Sequence, residues 1–206
     1  MSQIALPLLW PADPGADDYL IGASNGQAAT MLEHWGAWPV MAALLVGPRK
    51  SGRSLLARIF AAKSSGRIVD DAERMSEAQV FHAWNAAQAE RRPLLIVADA
   101  APPAWQVALP DLRSRLAATP VARIDPPDDA LMSALLERQF LRRGLDARPE
   151  LIAWLTARLE RSHVALLRAI DVLDQEVLES RKRLTIPLAR ATLDTAGLLH
   201  RREEAA

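Results

Sequence analysis

The sequence predicts an α/β protein, a parallel sheet covered by helices, followed by an all-helical unit. Three observations predict it. Two apolar runs, at 38–46 and 93–98, have no polar alternation, as strands buried on both faces require. A glycine-bounded loop, Gly47-Pro48-Arg49-Lys50-Ser51-Gly52-Arg53-Ser54, joins the first run to a helical pattern. Beyond Asp125-Pro126-Pro127-Asp128-Asp129 only helical periodicity is found.

In chain order, Gln3 to Trp10 is a short apolar segment, and the turn-rich stretch 11–18 tethers it to the body. Residues Asn25 to Gly36 read as a helix and Trp38 to Val46 as a strand entering the glycine loop. The loop opens a helix over Leu55 to Ala62, and Lys63-Ser64-Ser65-Gly66 turns the chain into a short strand, Arg67 to Asp71. A helix over Ser76 to Ala89 precedes the strand Pro93 to Asp99, and Val121 to Ile124 suits one more strand. Strands alternating with helices give a sheet whose carboxyl ends gather Gly47, Asp70, Asp71 and Asp99, where ligands bind in such folds. The helical unit comprises Ala130 to Arg143, Pro149 to Glu160, His163 to Ser180 and Pro187 to Leu199. Its apolar faces carry Leu131, Leu135, Leu136 and Phe140, then Leu151, Trp154, Leu155 and Leu159. The expected boundaries are 1–12 for the N-terminal segment, 13–125 for the α/β body and 126–206 for the helical lid.

Composition narrows the function. Net charge is zero over 206 residues, so no global field draws the chain to nucleic acid or an anionic membrane. Cysteine is absent, which removes disulfides and thiolate metal sites and fits a reducing cytoplasm. The N-terminus lacks the basic and apolar regions of a signal peptide, and no apolar run is long enough to span a bilayer. The four histidines are scattered without ligand spacing and read as surface or packing residues.

The glycine loop fits G-x-x-x-x-G-K-[ST] except that Arg53 stands where lysine is expected. Its backbone N–H groups and the helix N-terminus suit a pyrophosphate, so residues 47 to 54 are the candidate nucleotide-binding set. A guanidinium also pairs with phosphate, but as a planar fork rather than a point charge. Binding is therefore expected, and efficient hydrolysis by this chain alone is not. Asp70 and Asp71 end a strand and point to opposite sides, which suits one carboxylate holding Mg, with Ser54, and the other orienting a water. The same pair also serves as a strand terminator and helix cap. Asp99 at the next strand end is placed to sense a terminal phosphate, or is ordinary loop chemistry.

Taken in order, the P-loop, the Asp-Asp strand, the polar strand end, the block Leu109-Pro110-Asp111-Leu112-Arg113-Ser114-Arg115-Leu116 and the helical lid resemble the AAA+ proteins of the DnaA lineage, in particular its Hda branch. The resemblance runs over nearly the whole chain. It implies a P-loop AAA+ body with a three-layer parallel sheet and a C-terminal lid, a bound ADP or ATP, and a role in restraining replication initiation. It implies that Arg115 is an arginine finger acting in trans on ATP held by a DnaA-type initiator. It implies that Gln3, Ile4, Leu6, Pro7 and Leu8 bind the polymerase sliding clamp, so that DNA is met only through the clamp. Hda-like chains carry Gly-Arg-Ser in the loop, as here. Two features depart from the pattern. Only one helix and a turn fit between Ser54 and Asp70, so the sheet is expected one strand narrower. Aligning Arg158-Leu159 places Val164 where the lid's sensor arginine belongs, with Arg161 and Arg168 as the nearby alternatives. No basic helix-turn-helix is read after the lid, so sequence-specific DNA reading is not expected; an adaptor, which could pair as a homodimer, fits better than an autonomous ATPase.

Overall fold

A computed structural model describes residues 19–199. The clamp-segment residues Gln3, Ile4, Leu6, Pro7 and Leu8 lie outside the described residues.

Four strands, β1 (Ala42–Val46), β2 (Arg67–Val69), β3 (Leu94–Ala98) and β4 (Val121–Arg123), form one sheet in the order β2-β3-β1-β4. Every pairing is parallel, and Ala42 stands opposite Leu94 while Leu44 stands opposite Val121. The narrow sheet follows from the short connection after the glycine loop. β1 starts three residues after Pro39, which has no N–H to give to a ladder, rather than at Trp38.

Alternation along the strands splits the core into two layers. On one face Ala42, Leu44 and Val46 meet α3 (Glu77–Glu90) and α4 (Pro110–Ala117) through Val80, Trp84, Leu112 and Leu116. On the other, Ala43 and Leu45 meet α1 (Ala23–Glu33) and α2 (Arg53–Ser64) through Ala28, Leu32, Leu56 and Phe60. Trp38 stacks on Phe60 with ring centroids 5.4 Å apart, and its indole N–H donates to the Met31 carbonyl. The α1 helix is shorter than periodicity suggested; a single 3-10 turn at Trp35–Ala37 replaces its last part. α3 begins in a capping box in which Ser76 accepts from the Gln79 amide.

The lid is built from α5 (Asp129–Arg142), α6 (Pro149–Thr156), α7 (His163–Ser180) and α8 (Ile186–Thr195). Asp128, Ser162 and Thr185 accept at the N-termini of α5, α7 and α8. Met132, Leu136, Phe140, Leu155, Ile170 and Leu173 fill a third core. Leu131, on the other side of α5, lies against the body at Gly22, where an added Cβ would stand 3.2 Å from its own Cβ. Among the described residues, no helix is long and apolar enough to cross a membrane.

Candidate nucleotide site

The loop between β1 and α2 lies where the strand order changes direction, since β1 has β3 on one side and β4 on the other. Two glycines are required by geometry. At Gly47 an added Cβ would stand 2.6 Å from the Ile124 carbonyl oxygen, so only a residue without one lets β1 leave the sheet beside the chain following β4. Gly52 has φ +87 and caps α2, with the Tyr19 ring 3.1 Å from where a Cβ would project. Lys50, also left-handed at φ 64, completes the bend.

No side chain caps α2. The first bond into the helix runs from the Leu56 amide to the Gly52 carbonyl, at 2.9 Å, so the amides of Arg53, Ser54 and Leu55 have no partner within it. Beside them the Ser51 hydroxyl is only 4% exposed and has no hydrogen-bond partner. Buried donors in this state fit a phosphate, and the positive end of the helix favours one.

Over this loop the lid closes a cleft of about 180 Å³ lined by Tyr19, Lys50, Ser51, Gly52, α5 and the start of α7. Among the described residues the lining includes Lys50, Arg138 and Arg142 and no carboxylate. His163, the first residue of α7, is 8% exposed, and its Nε2 has no partner. The Tyr19 hydroxyl is likewise buried, and burial pushes its pKa up to about 12, against a smaller lowering by the Asn25 side chain beside it. Burial also lowers the His163 pKa. The volume admits a phosphate group but is below the roughly 300 Å³ at which small-molecule pockets begin, so a whole nucleotide requires the lid to lift.

Arg53 turns away from this cleft. It is 9% exposed, and its guanidinium donates to the Ala98 carbonyl and to Asp99 Oδ1. Asp99 also lies 4.0 Å from Arg49, and its amide donates to Glu73 Oε1 at 2.6 Å. Asp70 and Asp71 are exposed beyond β2. Asp70 Oδ1 accepts the Asp71 amide at 3.0 Å, and Asp71, left-handed at φ 49, pairs with Arg74 at 3.7 Å. Pro48, Ser54 and Arg49 stand on the loop and its helix start, with Ser54 exposed. Among the described residues no group of three or more His, Asp or Glu is clustered as a metal cage.

Arg115 lies inside α4, on the sheet face opposite α2. Its guanidinium is 4.7 Å from the ring centroids of both Phe81 and Trp84, and it donates to Asn85 Oδ1. The approach to α4 is pinned by Glu77, whose carboxylate accepts the amides of Ala108 and Leu109 at 2.8 and 2.6 Å. Of the alternatives for the lid's sensor, Arg161 pairs with Asp129 at 2.9 Å, and neither it nor Arg168 lines the cleft.

Tyr19, Glu73 and His163 were not identified from sequence. Tyr19 is the single tyrosine of the chain, which gives a weak signal; nothing local marks His163 apart from the Ser162 cap before it.

Residues 128–193 match the family described as the lid domain of Hda. An uncharacterized protein of Haemophilus influenzae is 32% identical over 119 residues, 57% of this chain and 52% of that protein. The chain thus spans about half the length of the curated relative it matches. Domain III of the replication initiation protein DnaA from Thermotoga maritima superposes with a TM-score of 0.72 at 14% identity, covering 87% of this chain and 95% of that one. AMPPCP-bound DnaA from Aquifex aeolicus gives a TM-score of 0.59 at 15% identity over 81% of this chain and 67% of that one. At these identities the structures speak for the fold, and the family match speaks for residues 128–193. The lid is similar to the lid domain of Hda and the fold to domain III of DnaA, an all-helical lid on a four-stranded parallel-sheet body.

Proposed function

We propose that this chain is an Hda-like regulator of DNA replication initiation that works in the cytoplasm as an adaptor. It docks on the DNA polymerase sliding clamp through Gln3, Ile4, Leu6, Pro7 and Leu8, meets an ATP-bound DnaA-type initiator, and supplies Arg115 to that partner's ATP. Its own loop, residues 47 to 54, holds ADP or ATP as an ordering ligand, with Ser54 and Asp70 as the residues for Mg.

The observation that supports an adaptor over an autonomous ATPase is the commitment of Arg53 to Asp99 and Ala98. A P-loop cation stabilises charge on the transferring phosphate. Here that cation is tied to a strand end, and Asp71, the residue for orienting water, is turned to Arg74. Such a site is suited to retention rather than turnover.

Arg115 stands on the far face of the sheet from α2, so it serves a neighbour's nucleotide and not its own. Leaving the two rings costs about 1–2 kcal/mol at roughly 0.5–1 for each partly exposed cation–π contact, and the bond to Asn85 is exchanged for one to the phosphate. An arginine finger is worth about 10³–10⁵ in rate, or about 4–7 kcal/mol of barrier. The release is the smaller term. Each leucine of the N-terminal segment gains about 1.5–3 kcal/mol when buried, less the ordering of the tether. Two copies of this chain on a multivalent clamp would strengthen that weak contact.

The test is ATP hydrolysis by purified initiator with clamp-loaded DNA, with and without this protein, alongside Arg115→Ala and a chain lacking residues 3–8. Stimulation by the intact chain that both changes abolish is the expected result. Absence of stimulation by the intact chain would refute the adaptor. The small cleft favours a second reading, a scaffold that binds partners without nucleotide. ADP that leaves the unfolding temperature unchanged would establish it, since a ligand of the folded state must raise stability.

A further inference from the structure

Most cations of the lid are answered within it. Arg143 reaches Asp171 and Asp174, Arg161 pairs with Asp129, and Arg158 and Arg190 lie over the Trp154 ring. Arg138 and Arg142 also make contacts. Arg148, Arg181, Lys182 and Arg183 differ: all four are exposed, and among the described residues none has a side-chain hydrogen bond, an ion pair or a ring contact. They converge from two connections distant in the sequence. Arg148 ends the one between α5 and α6, and Arg181 to Arg183 open the one between α7 and α8. Between these connections lies a groove of about 720 Å³. Its walls are apolar, from Leu145, Leu151, Val177, Leu184 and Ile186, and its rim carries the four cations together with Asp146 and Glu150.

Helix ends explain only part of this rim. Glu150 suits the first turn of α6, and Arg181, the C-cap of α7, suits the negative end of that helix. Lys182 and Arg183 lie beyond the cap, where the dipole fades. Arg148 sits at the N-cap of α6 without capping it, so the dipole opposes its charge. A cation kept where its own helix disfavours it, without a partner and beside apolar walls, breaks a local rule, as binding sites do.

We infer that this groove binds a short acidic segment of a partner protein. An apolar side chain of that segment packs against Leu145 and Ile186, and its flanking carboxylates meet Arg148 and Arg181 to Arg183. Three of the four cations are arginines, whose planar fork takes a carboxylate through two parallel hydrogen bonds. The apolar walls select a peptide over a nucleic acid, since a phosphate backbone gains nothing from them. A nucleic acid would also run onto the last turns of α7, where Glu176 and Glu179 line a second depression. The groove is roughly 20 Å along α7 from the cleft over the glycine loop, so the two are filled independently.

The experiment is fluorescence polarisation of the full chain with labelled short peptides in which one Leu or Phe is flanked by Asp and Glu at varied spacing. Control peptides carry Ser for the apolar residue, or Asn and Gln for the acids, and a labelled single-stranded oligonucleotide is run beside them. The groove variants are Arg148→Ala and the combined Arg181→Ala, Lys182→Ala, Arg183→Ala. Arg58→Ala, an exposed cation of α2, is the comparison, and ligand-free unfolding checks that each variant folds. Saturable binding of the acidic–apolar peptides is expected, weakened about tenfold by either peptide change and by either groove variant, unaffected by Arg58→Ala, and reduced by added salt. Binding that survives loss of the apolar residue, or that falls equally in Arg58→Ala, overturns the inference. So does failure of every peptide to bind. An oligonucleotide bound more tightly than any peptide makes the surface a nucleic-acid contact instead. Self-association that the groove variants abolish, read by sedimentation velocity, gives the groove to a second copy. Peptide binding that appears only after removal of residues 200–206 gives it to the chain's own Glu203 and Glu204.

Discussion

Replacing Arg53 with methionine tests whether the loop's cation is structural or held in reserve for a ligand. Methionine keeps most of the aliphatic stem, so the cavity it leaves is small, and the change isolates the two polar contacts. Hydrogen bonds to charged groups contribute about 1.5–3 kcal/mol each, so the bonds to Ala98 and Asp99 set a ceiling near 6. Two terms reduce this. The Asp99 side chain is 45% exposed and recovers water once released. Removing a guanidinium that is itself buried also relieves its own desolvation. The net expectation is a loss of about 2–3 kcal/mol, which in a chain of this size lowers the unfolding temperature by about 4–12 °C.

Urea unfolding followed by tryptophan fluorescence, without nucleotide, measures it. Asp99→Asn and the double variant complete the cycle, and because the partners touch, the double loss should fall short of the sum by at least about 0.5 kcal/mol. A loss below about 1 kcal/mol, additive with Asp99→Asn, would refute the reasoning. Arg53 would then be free in the ligand-free protein and available to the phosphate, and the argument against autonomous hydrolysis would lose its main support.

Two further predictions concern the frame around the sites. Phe140 is 1% exposed in the lid core, and Phe140→Ala should cost about 3–5 kcal/mol; hydrogen exchange should show this loss in α5 to α8 while β1 and β3 stay protected, and equal loss in both would mean that body and lid do not unfold separately. Glu77 is held below its ordinary value of 4.5 by the amides of Ala108 and Leu109. A lowered carboxylate pKa gives stability that is present above the unfolded value and lost as pH falls through the folded one. Glu77→Gln should therefore be less stable than the native chain near neutrality, the gap closing below about pH 4.5, and a gap independent of pH would refute this.

The parts of the fold that were legible in the sequence are those where one physical rule acts alone. The apolar runs at β1 and β3 are buried on both faces, so nothing polar interrupts them, and the prolines of 125–129 and the acid before α5 mark the lid's start. Boundaries failed where two rules compete. The apolar run from Trp38 looks like strand throughout, but Pro39 cannot join a ladder, so pairing waits until Ala42. At 33–37 helical composition gives way to a 3-10 turn because Trp38 is drawn into its stack on Phe60. The glycine loop was legible because its spacing encodes a backbone shape. The partners of its side chains were not, since Arg53 and Asp99 are joined by tertiary packing alone. His163 was invisible for the same reason: its surroundings come from a loop more than a hundred residues earlier.

The separation of charge around Arg53 suggests why this architecture should hold a nucleotide better than it cleaves one. Hydrolysis needs carboxylates facing the phosphates, to carry metal and to orient water. This chain does collect acids at its strand ends, as the sequence led us to expect. Yet Asp99 is occupied by Arg53 and faces Arg49, Asp71 faces Arg74, and Asp70 accepts the next amide. The cleft under the lid, in contrast, is lined among the described residues by Lys50, Arg138, Arg142 and buried polar groups and by no acid. An anion entering it meets Lys50 and, among the described residues, no carboxylate to activate a water. Its binding energy is then available to order the lid over the loop, while Arg115 lies on the far side of the sheet, as the proposed role in trans requires.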